Sequence, residues 1–191
     1  MPRVGVLALQ GDVREHIRAL SALDVEASAV KSADEVEAID ALVIPGGEST
    51  TIGRLAERFG LIEPLRSRIE GGMPVFGTCA GMIFLAVGVT EGTQPQLGCL
   101  DIVVRRNAFG RQNDSFEADL PIRGLDEPFH AVFIRAPWVE KTGSGVEILA
   151  SVDDHPVMVR QGNIYAASFH PELTDDDRVH RMFLDLVAAD S

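Results

Sequence analysis

The pentapeptide Gly77-Thr78-Cys79-Ala80-Gly81 lies between two apolar stretches, residues 74–76 and residues 82–87. The first stretch is typical of a short buried strand and the second of a buried helix. A cysteine flanked by glycines at a sharp strand-to-helix turn is the sulfur counterpart of the nucleophile elbow of α/β hydrolases. The pattern predicts an α/β domain in which Cys79 is a nucleophile. The competing interpretation is a buried structural cysteine in a glycine-rich turn.

The predicted helix after this turn has two consequences for Cys79. A helix N-terminus favours the thiolate over the thiol. It also offers the backbone N–H of Ala80 as a donor to an oxyanion.

Strands and helices alternate on the N-terminal side of the pentapeptide. Residues 4–9 and 41–44 are continuous apolar runs, the pattern of strands buried on both faces of a parallel sheet. Two capping boxes are predicted at helix starts, Asp12 with Glu15 and Ser32 with Glu35. A helical pattern over residues 50–69 is interrupted near Phe59-Gly60 and carries Pro64 early in its second segment.

Beyond Gly88 the sequence changes to shorter strand-like runs, which predict a mixed or antiparallel extension of the sheet. These runs are residues 100–104, 131–134, 146–152, 156–160 and 164–169. A final amphipathic helix is predicted over residues 178–187, preceded by the acidic run Asp175-Asp176-Asp177. With no repeat and no linker-like segment, residues 1–191 are expected to form a single domain.

Composition narrows the classes of function. The chain has 191 residues, 46% of them hydrophobic, and a formal net charge of -12. That charge disfavours nucleic acid and anionic membrane surfaces as partners. Two cysteines cannot form a disulfide framework, and no apolar run is long enough for a signal peptide or a membrane span. We therefore expect a soluble cytoplasmic protein, with Cys99 as a packing residue.

A histidine and a carboxylate follow the last predicted strand, in Phe169-His170-Pro171-Glu172. Extended geometry would place residues 170 and 172 on one face. Glu172 can then accept a hydrogen bond from one imidazole nitrogen and leave the other to take a proton from a thiol. The alternative is a surface histidine before a proline. Cys79, His170 and Glu172 all follow predicted strands, where open α/β sheets place their sites, so we predict a catalytic triad.

The loop Pro45-Gly46-Gly47-Glu48-Ser49 comes directly after the strand at residues 41–44. Paired glycines free backbone amides to face a ligand, so Gly47 is a candidate for the second oxyanion donor. Glu48 and Ser49 can meet the ammonium and carboxylate groups of an amino acid. A plain strand-to-helix turn with Ser49 or Thr50 as N-cap is compatible with this role. No phosphate-binding glycine motif is present anywhere in the chain.

Two arginine-bearing segments stand out in an acidic chain, residues 105–111 and residues 133–138. Either can bind a substrate carboxylate, although for each segment taken singly a solvated surface arginine or an internal ion pair is the better explanation. The remaining histidines show no metal-binding spacing, so no metal site is predicted. These are His16 and His180 on predicted helices, and His130 and His155 in loops.

Taken together, these motifs resemble the class I, triad-type glutamine amidotransferases. Within that family they are most similar to the glutaminase subunits of pyridoxal 5'-phosphate synthases. The matching segments, in order, are residues 4–11, 45–51, 77–82, 105–112, 114–117, 132–137 and 168–174. The resemblance implies a three-layer, flavodoxin-like α/β fold with a mostly parallel central sheet and a mixed or antiparallel extension.

The resemblance also assigns roles to residues. It implies that Cys79 attacks the side-chain amide of L-glutamine, that His170 shuttles the proton and that Glu172 orients His170. It implies that glutamine is held by the loop of Gly47, Glu48 and Ser49 and by Arg106, Ile134 and Arg135. The resemblance further implies that Gln10 contacts a partner subunit.

The partner implied by the resemblance is a PdxS-type synthase subunit that receives the ammonia. Pyridoxal phosphate would be a product of such a complex, so no cofactor is expected on this chain. The isolated chain would be weakly active or silent. Two other functions remain open at the level of sequence: a stand-alone hydrolase of γ-glutamyl or peptide bonds, and a non-catalytic binding subunit.

Overall fold

The computed structural model describes residues 1–111 and 114–189. Gln112, which belongs to one of the matching segments, lies outside these ranges. The helices are α1 (Val13–Ser21), α2 (Ala33–Glu37), α3 (Ser49–Arg58), α4 (Ile62–Glu70), α5 (Ala80–Leu85) and α6 (Arg178–Ala189). The strands are β1 (Arg3–Leu7), β2 (Glu26–Val30), β3 (Ala41–Ile44), β4 (Val75–Thr78), β5 (Ala86–Val89), β6 (Leu100–Arg105), β7 (Ser115–Leu120), β8 (Phe129–Ile134), β9 (Trp138–Thr142), β10 (Glu147–Val152), β11 (His155–Gln161) and β12 (Ile164–Ala167).

The central sheet has seven strands in the order β10-β11-β12-β4-β3-β1-β2. Five of them, from β12 to β2, run parallel. At the other edge, β11 pairs antiparallel with both β12 and β10. The predicted mostly parallel sheet is therefore confirmed. Because β4 and β12 are parallel neighbours, the residues that follow them emerge side by side at one edge of the sheet.

Side chains that alternate along the central strands feed two separate cores. On β3, Leu42 and Ile44 enter one core, while Ala41 and Val43 enter the other. Helices α2, α3, α4 and α5 cover the first face, and α1 and α6 cover the second. Strands buried on both faces read as continuous apolar runs, which is why the sequence pattern identified β3. The arrangement is the predicted three-layer α/β fold.

Three of the runs predicted as an extension beyond Gly88 belong to the central sheet, as β10, β11 and β12, and β12 is one of its parallel strands. The other strands beyond Leu85 form two small sheets. In one, β6 pairs parallel with β5 and antiparallel with β9. In the other, β7 and β8 form an antiparallel pair. The predicted mixed extension is therefore confirmed, but β7 and β9 were not predicted from the sequence. The helix predicted over residues 82–87 also ends early, at Leu85, and β5 follows at once.

The predicted helix starts have mixed outcomes. The Ser32 and Glu35 capping box is present in both directions. The Asp12 capping box is wrong, because the Asp12 side chain makes no capping hydrogen bond although it stands at the N-cap of α1. The N-cap of α3 is Glu48 and not Ser49 or Thr50, because the Glu48 carboxylate reaches two free amides of the first turn.

No helix among residues 1–111 and 114–189 combines the length and apolar character needed to cross a membrane.

Candidate active site

The turn between β4 and α5 has the geometry of a nucleophile elbow. Cys79 has φ 49° and ψ −105°, a strained conformation for a residue with a side chain. A Cβ atom on Gly81 would lie 2.1 Å from the Ile44 carbonyl oxygen, so only glycine fits this position. The Cys79 amide donates to the Ala167 carbonyl at 2.7 Å, which ties the elbow to the end of β12. The packing around this turn thus requires glycine where the sequence has it.

His170 and Glu172 follow β12 and lie beside the elbow. His170 Nδ1 and Glu172 Oε1 are 2.6 Å apart, and both side chains are almost completely buried. The predicted contact is present, but the predicted extended geometry is wrong. Residues Pro171–Leu173 form one turn of 3-10 helix, and this turn carries Glu172 back towards His170. Proline suits the first position of this turn, because the backbone N–H that proline lacks would have no partner within the turn.

The electrostatics of the pair favour a charged imidazole. Burial lowers the pKa of His170, but its interactions with Cys79 and Glu172 outweigh burial and raise the pKa from 6.5 to about 10. Burial raises the pKa of Glu172, and the hydrogen bond from His170 opposes that rise. A histidine that holds a proton strongly beside a thiol can form an imidazolium–thiolate pair, which is the reactive form of a cysteine nucleophile.

Asp12 also faces His170, a contact that was not predicted from the sequence. Its Oδ2 lies 3.3 Å from His170 Nδ1, the nitrogen that Glu172 also contacts. The local pattern identified Asp12 as a helix cap, and nothing in the neighbouring residues pointed to a histidine so far along the chain. Asp12, His170 and Glu172 place ligand atoms within 4.8 Å of one another. Their contacts are those of a hydrogen-bonded base, and the absence of a metal site stays a prediction.

Two hydrogen bonds join the loop after β1 to the loop after β3. The Asp12 amide donates to the Gly46 carbonyl at 3.0 Å, and the Glu48 amide donates to Gln10 Oε1 at 2.7 Å. A Cβ atom on Gly47, whose φ is 157°, would lie 2.3 Å from Gln10 Oε1. Gln10 and Gly47 are both exposed. The residue expected to contact a partner is therefore packed against the candidate oxyanion donor.

Glu48 has a structural task beside its candidate role in binding. Its carboxylate accepts from the Thr50 and Thr51 amides at 3.0 and 2.7 Å and from Thr51 Oγ1 at 2.6 Å. Partial burial raises its pKa, but these hydrogen bonds outweigh burial and lower it. Glu48 is thus ionised and held in one orientation at the rim of the site.

Gln94, which belongs to none of the predicted motifs, accepts hydrogen bonds from several neighbouring side chains. Its Oε1 accepts from Arg106 at 3.0 Å and from Ser49 Oγ at 3.3 Å. Arg106 also donates to Thr50 Oγ1 at 3.2 Å. The loop containing Gln94 has no regular secondary structure, which explains why no periodic pattern marked it.

A cleft of about 360 Å³ unites these groups. The Cys79 thiol contacts the Ile134 carbonyl oxygen at 3.9 Å, and the next residue, Arg135, adopts a positive φ of 43°. Every predicted site residue except Glu172, which lies behind His170, lines the cleft. Its lining comprises Gln10, Asp12, Gly47, Glu48, Ser49, Cys79, Ala80, Ile83, Arg106, Asn107, Ile134, Arg135, His170 and Leu173.

Cys99 lies elsewhere, packed against the core on the α3–α5 face of the sheet. Burial and the charge of Glu70 raise the pKa of its thiol to about 11. Its Sγ donates to the Leu97 carbonyl at 3.8 Å. These contacts are those expected of a packing residue.

Comparison with known proteins places this geometry in a family. The sequence profile of the SNO glutamine amidotransferase family matches residues 6–189. The pyridoxal 5'-phosphate synthase subunit PdxT of Parafrankia sp. (strain EAN1pec) is 62% identical over 192 residues, covering 99% of this chain and 95% of that protein. The protein of the same name from Streptomyces avermitilis is 58% identical over 191 residues, covering 98% of this chain and 95% of that protein.

Solved structures agree with the sequence relatives. A crystal structure of a glutamine amidotransferase has a TM-score of 0.93 and 55% identity, covering 97% of this chain and 98% of that one. A chain from the structure of PurLQS from Thermotoga maritima has a TM-score of 0.73 at 18% identity, covering 96% of this chain and 98% of that one, and shares the fold. The chain belongs to the SNO glutamine amidotransferase family.

Proposed function

We propose that this chain hydrolyses L-glutamine to L-glutamate and ammonia, as the glutaminase subunit of a pyridoxal 5'-phosphate synthase. The observation that carries the proposal is the contact of Glu172 with His170 beside the Cys79 elbow, at a cleft that also holds Arg106 and Arg135. Relatives named as synthase subunits match nearly the whole chain. The family membership supports the reaction class, and the name of these relatives supports the proposed assembly.

The cleft suits one amino acid substrate. Arg106 and Arg135 offer guanidinium groups to an α-carboxylate, in a chain whose net charge of -12 would otherwise repel an anion. The ionised Glu48 carboxylate is available to an α-ammonium group, and Ser49 and the Ile134 carbonyl are available to polar substrate atoms. In this pose the side-chain amide of glutamine extends towards Cys79.

The first chemical step forms a thioester. The Cys79 thiolate attacks the amide carbon of glutamine, and the carbonyl oxygen becomes an oxyanion. The backbone amides of Ala80 and Gly47 are the proposed donors to that oxyanion. His170, as the imidazolium, then gives its proton to the leaving nitrogen, so ammonia departs and a γ-glutamyl thioester remains on Cys79.

The second step releases glutamate. Neutral His170 removes a proton from water, the resulting hydroxide attacks the thioester carbon, and the carbon–sulfur bond breaks. The proton passes back to the Cys79–His170 pair. Glu172 stabilises the imidazolium that forms in each half of the cycle and holds the ring in one orientation. No cofactor takes part in either step, and pyridoxal phosphate is a product of the proposed complex.

The exposed pair of Gln10 and Gly47 is the proposed contact with a PdxS-type synthase subunit. The amide of Glu48 is bonded to Gln10, so a partner that moves Gln10 would also move the Gly47–Glu48 peptide. This coupling would allow the synthase to complete the oxyanion site and to receive ammonia only when it is docked. We propose that the single domain of residues 1–191 carries out this work in the cytoplasm.

Release of glutamate from glutamine tests the function, measured with and without a purified PdxS-type subunit. We expect release that the synthase subunit stimulates, that is lost in Cys79→Ala, and that is retained in the control Cys99→Ala. Full activity of Cys79→Ala would overturn the mechanism. Partner-independent cleavage of γ-glutamyl or peptide substrates would favour a stand-alone hydrolase. Binding of the synthase without any glutaminase activity would favour a non-catalytic subunit.

A further inference from the structure

Two buried histidines lie behind the triad, on the side away from the cleft. His16 on α1 and His180 on α6 have 0% and 1% of their surface exposed. His16 Nδ1 and His180 Nε2 are 3.2 Å apart, and the two rings meet edge to face. The mechanism above uses neither residue, and buried polar groups are normally placed where they have partners.

His16 reaches the triad through Glu172. One carboxylate oxygen of Glu172, Oε1, is bonded to His170, whereas Oε2 makes no regular hydrogen bond among the described residues. His16 Nε2 lies 3.4 Å from Glu172 Oε2. Contacts of catalytic groups are often long before substrate binds and shorten in the reacting complex. His16 is thus placed to supply the donor that Oε2 lacks.

His16 also touches the strand that carries the nucleophile. Its Nε2 lies 3.0 Å from Oγ1 of Thr78, the residue directly before Cys79. One imidazole nitrogen therefore contacts both the β4 end that presents the thiol and the carboxylate that orients the base. The resulting chain of contacts runs from Cys79 through His170, Glu172 and His16 to His180.

The contacts favour one tautomer of His16. A neutral imidazole has one N–H and one lone pair. With the proton on Nε2, His16 donates towards Glu172 Oε2 and Thr78 Oγ1, and its Nδ1 accepts from His180. With the proton on Nδ1, the Nε2 lone pair would face a carboxylate oxygen and repel it. A His180 that carries its proton on Nε2 donates to Nδ1 of His16, and that hydrogen bond selects the Nε2–H form of His16.

Both histidines are neutral around pH 7, which this arrangement needs. Burial lowers the pKa of His16 well below 6.5, and repulsion by the protonated forms of His180 and His170 lowers it further. Burial lowers the pKa of His180 to about 4, with the charge of Asp177 opposing. The other charged group that acts on Glu172 is Asp12. A neutral donor can orient Glu172 without competing with the charge of His170.

We propose that His16 is a positioning residue for the glutaminase reaction, whose Nε2–H binds Glu172 Oε2, and that His180 fixes the tautomer that makes this possible. The inference rests on the proposed function. Without this donor, one oxygen of a buried carboxylate loses its partner, and the carboxylate becomes easier to protonate. A protonated Glu172 would no longer stabilise the imidazolium of His170.

Two substitutions of His16 distinguish the effect of its N–H donor from the effect of its ring volume. His16→Phe keeps a ring and removes the donor, and His16→Gln keeps an amide N–H near the position of Nε2. In complex with the synthase subunit, we expect kcat of His16→Phe to fall about 10- to 100-fold, the effect of losing outer-shell partners of metal-bound histidines. KM should stay the same, because His16 does not line the cleft. The alkaline limb of its pH profile should move to lower pH, and His16→Gln should recover most of kcat.

The matched control is Leu20→Ala, a buried change one turn further along α1. It should lower thermal stability and leave the pH profile in place. The proposal is overturned if His16→Phe keeps kcat within twofold of wild type, if His16→Gln is as impaired as His16→Phe, or if Leu20→Ala moves the pH profile equally.

A measurement on the unaltered chain covers the case in which His16→Phe does not fold. The ring ¹⁵N shifts of the five histidines report which nitrogen carries the proton. We expect His16 to be protonated at Nε2, and protonation at Nδ1 would overturn the proposal. Failure of the proposed function would look different, because wild-type complex would then release no glutamate whatever the His16 tautomer.

Discussion

The carboxylates of Asp12 and Glu172 converge on a single nitrogen, His170 Nδ1, at 3.3 and 2.6 Å. The two carboxylates differ in environment. The Asp12 side chain is 36% exposed, whereas that of Glu172 is completely buried. Glu172 is therefore the permanent partner, and Asp12 adds a negative charge on the solvent side of the ring. Glu172 raises the pKa of His170, and we expect the Asp12 carboxylate, 3.3 Å from the same nitrogen, to add to this effect.

Replacing Asp12 by asparagine should make His170 less basic. Loss of a charge 3.3 Å from Nδ1 removes part of the stabilisation of the imidazolium. The alkaline limb of the kcat profile should move down by roughly one pH unit, since the reaction needs the protonated ring as an acid. Asp40→Asn, which removes a surface partner of Arg3, is the control. An unshifted limb in Asp12→Asn would show that solvent screens this charge.

Gly46→Ala should act as a steric probe of the catalytic histidine. A Cβ atom at Gly46 would lie 2.5 Å from His170 Cε1 and 3.0 Å from Nδ1, so the ring must move. We expect kcat to fall at least about 10-fold, since small displacements of a catalytic group are costly. Gly88→Ala is the matched control, because its nearest neighbour would be Val103 at an ordinary 3.8 Å. Equal kcat in the two variants would contradict the geometry.

The two cysteines should differ sharply towards a glutamine-mimicking alkylating reagent. With its pKa raised to about 11, Cys99 has about one thiol in a thousand ionised at pH 8. Cys79 lines the cleft beside an imidazole that can accept its proton. Mass spectrometry of the complex should find the label on Cys79 alone, unchanged in Cys99→Ala. Labelling of Cys99 in Cys79→Ala would count against this assignment.

His180 should make the fold sensitive to acid. Its pKa falls from 6.5 to about 4 on folding, so the unfolded chain binds the proton more tightly. The stability that neutral His180 provides is complete above pH 6.5 and is lost as the pH falls towards 4. The loss amounts to about 3 kcal/mol. Denaturant unfolding of His180→Gln should therefore show a flatter dependence on pH over that range.

The control for this pH dependence is His130→Gln. The hydrogen bonds of His130 with Asp119 and Glu117 raise its pKa, so its contribution is present below pH 6.5 and declines at higher pH. Removing it should leave the acid limb as steep as in wild type. A flattened acid limb in both variants would point to a general effect of charge.

The features that were predicted correctly depend on residues that are close together in the sequence. The elbow at Cys79 needs glycines on either side, and the capping box of Ser32 needs Glu35 three residues later, so both are visible in short windows. The contact of Asp12 with His170 joins residues far apart in the chain, and local capping rules gave the wrong role. Long-range contacts of this kind override local preference.

One strand that was not predicted, β7, does carry a recognisable sequence pattern. In β7, Phe116, Ala118 and Leu120 alternate with polar residues, the period of a strand with one buried face. The roles of Gln94 and His180 had no such signal, because each depends on a partner that only the folded chain brings near. Most residues that line the candidate cleft were predicted from the sequence, but the contacts that hold them in place were not.

Because β4 pairs with β12, a strand near the C-terminal end of the sequence, the catalytic residues can come together only late in synthesis. The nucleophile turn follows β4, but the base and its orienting carboxylate follow β12, which leaves the ribosome some 90 residues later. A nascent or prematurely terminated chain that stops before β12 carries the thiol and no proton acceptor for it. Fragments released by stalled translation would therefore leave cellular glutamine intact.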